Sequence, residues 1–226
     1  MSTPVSSPAP PRPDAPEPER RTLKRAFFQA LGLGALTFAA LGLYLIVLKW
    51  RGHDGKEHIT WTAWDEWVPF EPAWVWVYLI PYVIGPVLVG LLSRRTFAWF
   101  VPRALAIMFL SVLVFIVYPT QTAARPELRL PEGPTRDLYK MMIEVDEPPA
   151  NAAPSLHVSL TCLLALALVR DFPRWWPVWL AGALLVWAAT LFTRQHHLID
   201  VVSGVLVACT VVLAWPLKRT GSRGEP

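Results

Sequence analysis

Thr193-Arg-Gln-His-His-Leu-Ile-Asp200 runs without a break into Val201-Val-Ser-Gly-Val-Leu-Val-Ala208, so a polar segment directly adjoins an apolar one. The apolar run is typical of a membrane-spanning helix. Polar groups beside such a helix are energetically costly, so their presence suggests a function. His196 and Asp200 are four residues apart, so on a helix they share one face. A carboxylate there can fix the tautomer of the imidazole and stabilise its charged form. The stretch predicts either a functional site at a membrane surface or a cluster of side chains that extend into interfacial water.

The composition of the whole chain also indicates a membrane protein. Of the 226 residues, 54% are hydrophobic and 17% are charged, whereas about a quarter of the residues in a soluble domain are charged. The net charge is +4, and the basic residues flank apolar runs instead of forming a nucleic-acid surface. We therefore expect a lipid bilayer and a membrane lipid substrate as partners and no nucleic acid; the sequence leaves the oligomeric state open.

Six apolar runs predict an all-α fold, a bundle of six transmembrane helices, because about 20 residues at 1.5 Å each cross the hydrocarbon core. A Pro-rich tail at 1–25 precedes this domain and is expected to be disordered, since it cannot bury enough apolar surface to fold. The six-helix domain occupies 26–217, and a basic tail at 218–226 follows it. The predicted spans are 26–48, 73–92, 104–119, 154–169, 175–192 and 198–217.

The distribution of Lys and Arg among the segments outside the spans predicts the orientation of the bundle. The side that contains both termini receives 13 of these residues, and the opposite side receives eight. Basic residues close to the spans favour the cytoplasm, so we expect both termini to be cytoplasmic. Arg125, the 154–157 segment and the 194–200 segment then open on the opposite face. Three separate polar sites are thus predicted to converge on one membrane surface.

The long connection at 120–153 contains a helical pattern. Leu138, Met141, Met142 and Val145 recur at i, i+3, i+4 and i+7. The pattern predicts a short amphipathic helix on the membrane surface, a lid, or an ordered segment that packs against the bundle.

The converging segments carry side chains suited to phosphate chemistry. The guanidinium groups of Arg125 and Arg194 suit a bidentate grip on a phosphate. Ser155 is predicted at the start of the fourth span, where free backbone N–H groups and the positive helix end can bind an anion. His157 and His196 could then divide two tasks between them, attack on phosphorus and protonation of the leaving oxygen.

Two other interpretations of the same residues are open. His157, His196, His197 and Asp200 could ligate zinc. The neighbouring arginines would repel a cation, so we expect no metal and no cofactor. The residues could also serve only to order the helix ends, in a non-enzymatic lipid-binding membrane protein or a transporter.

Pro154-Ser155-Leu156-His157, followed about 40 residues later by His196-x-x-x-Asp200, resembles motifs of the type-2 phosphatidic acid phosphatase superfamily. Arg125-Pro126 resembles the end of that family's first motif. The resemblance covers 104–205, and the motifs themselves lie within 118–205. It implies a six-helix bundle that hydrolyses or transfers the phosphate groups of lipids without a metal.

Carried over to this chain, the resemblance implies that His196 is the nucleophile, which forms a phosphohistidine and is oriented by Asp200. His157 would be the general acid. The phosphate would be held by three residues, Arg125, Ser155 and Arg194. His197 is an alternative nucleophile, but only His196 has the carboxylate four residues later and the spacing of the family motif.

The chain departs from the common family pattern at two positions. Tyr118 stands where the first motif begins with Lys, and Thr190 stands where the third motif has Arg. Thr-Arg-Gln-His at 193–196, with Pro119-Thr120, is instead similar to the branch that includes inositol phosphorylceramide synthases, which transfer a phosphoalcohol head group between lipids. The resemblance therefore leaves water and a lipid alcohol as alternative acceptors.

The resemblance also implies a location and a substrate class. The expected substrate is a phospholipid or an isoprenyl (pyro)phosphate, bound at the non-cytoplasmic face of the membrane. The compact chain lacks an N-glycosylation acceptor, because Asn151 is followed by Ala-Ala. We therefore expect a bacterial inner membrane, with the active site facing the periplasm or exterior.

Overall fold

The computed structural model describes residues 23–51, 57–123, 129–147 and 149–215. This part of the chain is mainly helical, as predicted. Three helical segments in it are long and apolar enough to cross a membrane: Pro72–Gly90, Arg94–Val117 and Pro173–Phe192. The helices are α1 Leu23–Arg51, α2 Val75–Gly90, α3 Arg94–Val117, α4 Pro134–Val145, α5 Leu156–Asp171, α6 Trp176–Phe192 and α7 Leu198–Ala214, and the strands are β1 His58–Ile59 and β2 Thr120–Gln121.

The N-terminal boundary of the bundle differs from the prediction. The tail was expected to extend to residue 25, but α1 already begins at Leu23 and includes Lys24 and Arg25. The rest of the predicted disordered tail, 1–22, and the basic tail at 218–226 lie outside the described residues, so those predictions stay predictions.

The start of α3 is the largest difference from the predicted spans. The predicted spans ended at residue 92 and resumed at 104, which left 93–103 as a connection. In the structure α3 already begins at Arg94, and Ser93 accepts a hydrogen bond from Thr96 N at 3.2 Å. Arg103 is buried within the helix, where its Nη1 donates to Trp99 O at 2.8 Å and its guanidinium lies 4.6 Å from the centre of the Trp99 ring. Because local partners satisfy this cation, it does not end the helix.

Helix α4 packs against the bundle, which is one of the three interpretations of its pattern. Its buried residues are Tyr139 and Met142, whereas Met141 and Val145 are 51% and 47% exposed. Half of the predicted apolar stripe therefore packs inward, Leu138 and Met142, whereas the other half does not. Tyr139 is buried because its ring belongs to a cluster with α2 and α6, and its hydroxyl donates to Thr193 O at 2.8 Å.

The main core lies between α3, α5 and α7, where Ile107, Leu163 and Ala208 are fully buried. Helix α7 approaches the start of α5 so closely that a Cβ at Gly204 would lie 2.8 Å from Ser155 O. Only glycine leaves room for this contact, and the hydroxyl of Ser159 donates to Gly204 O at 2.9 Å beside it. The beginnings of α5 and α7 are therefore fixed next to each other.

A small sheet, which the sequence did not predict, joins three distant segments. β1 pairs with β2 in parallel, with His58 opposite Thr120. Gln121 also forms an antiparallel bridge with Ala150. The sheet thus brings the α1–α2 connection, the end of α3 and the segment before α5 to the side of the bundle where α7 begins.

Candidate active site

The turn between α6 and α7 presents the two adjacent histidines in different environments. Arg194 adopts a left-handed backbone conformation with φ of 55°, and the amides of Gln195 and His196 both donate to Thr190 O, at 3.1 and 3.0 Å. This tight turn directs the two imidazoles apart. The His196 side chain keeps 11% exposure, whereas His197 is 1% exposed.

Asp200 lies under both histidines and is itself completely buried. Its Oδ2 is 3.6 Å from His196 Nδ1 and accepts a hydrogen bond from His197 N at 2.7 Å. The first distance is within ion-pair range but longer than a hydrogen bond. The carboxylate therefore caps the start of α7 and at the same time faces the imidazole of His196, as the four-residue spacing predicted.

His157 faces His196 from the first turn of α5. The centres of the two rings are 6.3 Å apart. On its other sides, His157 contacts two tyrosines of α2, with ring centres 4.2 Å from Tyr78 and 5.2 Å from Tyr82. Its Nε2 is buried without a hydrogen-bond partner among the described residues. An imidazole held by its ring faces and with an unpaired nitrogen can exchange a proton with a bound group.

Ser155 connects the beginnings of α5 and α7. Its hydroxyl accepts a hydrogen bond from Val158 N at 3.4 Å, and its backbone N–H donates to Asp200 O at 3.1 Å. The hydroxyl caps α5 and retains its own proton for another acceptor. The positive end of α5 is therefore next to both histidines.

The guanidinium of Arg194 is directed into the α1–α2 connection. Its Nη1 donates to Asp65 O at 3.0 Å and its Nη2 donates to Val68 O at 2.6 Å, while the group lies 4.9 Å from the centre of the Trp61 ring. Its Nε is buried without a partner in the described part of the chain. Burial lowers the pKa of Arg194, and the Asp65 carboxylate opposes that shift.

The other residues singled out by their sequence lie near the site or outside the described part. Arg125 belongs to 124–128, which the structure does not describe. Tyr118 is half-exposed and stacks on His58, with ring centres 4.3 Å apart. Thr190 is buried, its hydroxyl donates to Trp187 O at 2.7 Å, and its carbonyl fixes the turn before His196. The structure thus gives Thr190 a role in shaping the backbone.

The side chains of Asp65 and Thr60, in the α1–α2 connection, form hydrogen bonds with the start of α7, and sequence reasoning missed both. The Asp65 carboxylate accepts hydrogen bonds from Leu198 N at 2.8 Å and from Thr62 N at 2.9 Å. Thr60 Oγ1 is 2.8 Å from His197 Nδ1 and 3.3 Å from Asp200 Oδ2. The spacing of Thr62 and Asp65 is that of a capping box, which predicts a helical turn there but not its contacts with residues 130 positions away.

No group of three or more His, Cys, Asp or Glu side chains in the described ranges is arranged to hold a metal ion. The groups that do converge are the imidazoles of His157 and His196, the Asp200 carboxylate and the N-terminus of α5, whereas the Arg194 guanidinium donates to the α1–α2 connection. This set can bind an anion and transfer protons to and from it.

Comparisons with known proteins point in the same direction over a short part of the chain. The chain is 33% identical over 60 residues to an inositol phosphorylceramide synthase of Candida albicans (strain SC5314). The match covers 26% of this chain and 13% of that protein. No family model and no solved structure matches the chain. The similarity is therefore limited to 60 residues of this chain.

Proposed function

We propose that this protein is an integral membrane phosphatase or phosphotransferase that acts on the phosphate groups of lipids through a phosphohistidine. The observation that carries the proposal is the pairing of His157 and His196, with ring centres 6.3 Å apart, above the buried Asp200. Both imidazoles lie at the beginning of α5, where the helix dipole favours a bound phosphate.

In the first step, His196 Nε2 attacks phosphorus, and the bond between phosphorus and the leaving oxygen breaks. The Asp200 carboxylate orients the imidazole through Nδ1 and stabilises the positive charge that develops on it. Protonated His157 donates its proton to the leaving oxygen from its otherwise unpaired Nε2. Proton transfer of this kind is typically worth about 10²–10⁴-fold in rate.

In the second step, water or an alcohol attacks the phosphohistidine, and the bond between phosphorus and His196 Nε2 breaks. His157 takes the proton of the attacking oxygen and is ready for another cycle. His197 is a poorer nucleophile because it is buried and its Nδ1 contacts Thr60. The exposure difference between the adjacent histidines therefore supports His196 in this role.

The phosphate oxygens would be bound by the N-terminus of α5, by the Ser155 hydroxyl and by Arg194 and Arg125. Arg194 would act through its charge and its Nε, since both of its η nitrogens donate to backbone carbonyls. Such fixed donors stabilise the charge on the phosphoryl group as it is transferred.

We further propose a six-span topology, with α1, α2, α3, α5, α6 and α7 in the membrane and both termini in the cytoplasm. The site then opens on the non-cytoplasmic face of a cell membrane, where a bacterial protein would meet lipid phosphates of the outer leaflet. Reporter fusions at the C-terminus and at residue 133 test this arrangement. The two sites should report opposite sides, and the same side for both would reject the topology.

The enzyme proposal is tested with purified protein in detergent. Phosphate release is measured from phosphatidic acid, phosphatidylglycerol phosphate and an isoprenyl pyrophosphate, for the wild type, H196A and H157A. His58, an exposed histidine stacked on Tyr118, provides the matched control H58A. We expect activity in the wild type and H58A and its loss in the other two. Equal rates in the wild type and H196A would reject the phosphohistidine mechanism.

Head-group transfer is the second candidate function, and the match to an inositol phosphorylceramide synthase favours it. A donor lipid labelled in its phosphate is incubated with and without candidate lipid alcohols. Transfer predicts a labelled new lipid that depends on the acceptor and on His196. Label that appears only as water-soluble phosphate would assign the enzyme to the hydrolases.

A further inference from the structure

Thr60 is held at the end of β1 by the small sheet and directs its side chain into the candidate site. Its backbone N–H donates to Gln121 O at 3.1 Å, and the residue is 8% exposed. Its hydroxyl contacts residues 137 and 140 positions later in the chain, His197 and Asp200. Among the described residues, this hydroxyl thus contacts two motif residues at the start of α7 and, at 3.4 Å, the carbonyl oxygen of Gln121 in the sheet.

The single proton of the Thr60 hydroxyl has three acceptors within reach, His197 Nδ1, Asp200 Oδ2 and Gln121 O, at 2.8, 3.3 and 3.4 Å. The tautomer of His197 determines whether its Nδ1 accepts this proton or donates its own. A threonine hydroxyl has a single proton, and an ionised carboxylate only accepts. If neutral His197 carries its proton on Nδ1, that N–H donates to Thr60 Oγ1 at 2.8 Å, and the hydroxyl donates to Asp200 Oδ2 at 3.3 Å. Thr60 Oγ1, His197 Nδ1 and Asp200 Oδ2 then each have a hydrogen-bond partner. Burial lowers the pKa of His197, and this favours the neutral form near pH 7.

We propose that Thr60 is a positioning residue, whose hydroxyl links His197 to Asp200 and thereby fixes Asp200 Oδ2 opposite His196 Nδ1. The inference rests on the proposed function in one respect, the role of His196 as the nucleophile. Oδ2 has three neighbours, the His197 amide, the Thr60 hydroxyl and the His196 imidazole. The His197 amide and the Thr60 hydroxyl hold the carboxylate in place opposite the His196 imidazole.

The link also separates the roles of the two adjacent histidines. It confines the His197 imidazole between Thr60 and the ring of Trp61, whose centre is 5.3 Å away. The other charged or titratable groups that face this network are Asp65, Arg194 and His157. In the described part of the chain, none of these three forms a hydrogen bond with Thr60 Oγ1: the Asp65 carboxylate accepts from Thr62 and Leu198, and Arg194 donates to the carbonyls of Asp65 and Val68.

Two variants isolate the hydroxyl of Thr60. T60V keeps the shape of the side chain and removes the hydroxyl, whereas T60S keeps the hydroxyl. T122V is the matched control, because Thr122 is also buried beside the small sheet and its Oγ1 has no partner among the described residues. All proteins are full-length, purified in detergent, and their melting temperatures are recorded.

The first measurement does not depend on turnover. Diethyl pyrocarbonate acylates neutral, accessible imidazoles, and peptide mass spectrometry gives the rate at each histidine. In the wild type, T60S and T122V, we expect His196 to react and His197 to be protected. In T60V, His197 should react about 10-fold faster, as expected for the loss of a buried hydrogen bond. An unchanged His197 rate in T60V, or a uniform increase at His157, His196 and His197, would overturn the proposal.

The second measurement uses phosphate release from phosphatidic acid. T60V should lower kcat about 10- to 100-fold, the range for one charge-assisted hydrogen bond, while KM changes less than about twofold. T60S should restore kcat. A fall in kcat that T60S does not restore would assign Thr60 a merely structural role and overturn the proposal. If the wild type shows no turnover, the proposed function fails, and the acylation rates still decide the role of Thr60.

Discussion

Replacing Asp65 by Asn tests whether the α1–α2 connection holds the start of α7. The carboxylate is 1% exposed, and it accepts three hydrogen bonds, from Leu198 N, Thr62 N and Thr62 Oγ1, at 2.8, 2.9 and 2.6 Å. An amide retains the acceptor for Leu198 N but places an NH2 group against Thr62 N–H. The hydrogen bond from Thr62 N to the charged carboxylate is then lost, because two donors, Thr62 N–H and the amide NH2, face each other. The negative charge of Asp65 near the positive end of α7 is lost as well.

The expected destabilisation follows from these contacts. A hydrogen bond to a charged group contributes about 1.5–3 kcal/mol, and a charge at a helix N-terminus about 0.3–1 kcal/mol. D65N should therefore lower the free energy of unfolding by about 2–4 kcal/mol. A chain of this size loses about 2–4 °C in Tm for each kcal/mol, so the thermal transition in detergent should fall by roughly 4–16 °C.

Asp137 provides the matched control for this experiment. It lies in the first turn of α4, so D137N also removes a negative charge from a helix N-terminus, but the residue is exposed. Its Tm should fall by no more than about 4 °C, the dipole contribution alone. Thermal unfolding is followed by the fluorescence of the tryptophans. Equal Tm values for D65N and D137N would refute the conclusion that Asp65 anchors α7.

Three further predictions concern other contacts of the site. G204A should lower the free energy of unfolding by about 1–3 kcal/mol, because its Cβ would lie 2.8 Å from Ser155 O. The control G182A should leave this free energy unchanged, because its Cβ would meet nothing within 4 Å. Equal effects of the two substitutions on Tm would contradict the close contact at Gly204. Y139F should cost about 1 kcal/mol through loss of the hydrogen bond to Thr193 O, and an unchanged Tm would show that this bond contributes nothing. Burial lowers the pKa of His197 in the folded protein, so the unfolded chain binds more protons and stability falls as the pH drops below about 6.5. The amide of H197N can still donate to Thr60, and between about pH 7 and 5 its Tm should fall less than that of the wild type. An equal fall in Tm for the two proteins would disprove the lowered pKa of His197.

The sequence predicted the helices well where apolar runs alone determine them. The sixth predicted span and α7 both start at Leu198. The fifth predicted span starts one residue before α6. The prediction failed at α3 because charged residues were treated as a boundary. Arg103 instead donates to backbone carbonyls of Trp99 and Trp215 and stays within the helix. A single sequence does not reveal such partners for a buried cation.

The site divides in the same way into local and distant contacts. The contact of His196 with Asp200 was predicted from their four-residue spacing. His196 lies just before α7, however, and the tight turn brings its imidazole to the carboxylate. The contacts of Thr60 and Asp65 link segments about 130 residues apart, and no periodic pattern indicates them. The direction of the Arg194 guanidinium depends on these same segments. The sequence therefore indicated which candidate residues lie close together at the start of α7 but not the loop that contacts them.

The hydrogen bond from Ser155 N to Asp200 O has a mechanical consequence. It joins α5 and α7 at the ends that carry His157 and His196, beside the close contact at Gly204. Transmembrane helices tilt when the thickness of the surrounding bilayer changes. Tilting of α5 against α7 would pivot at this bond and displace mainly their opposite ends. In the six-span topology proposed above, the spacing of the two imidazoles would thereby be insulated from the thickness of the membrane.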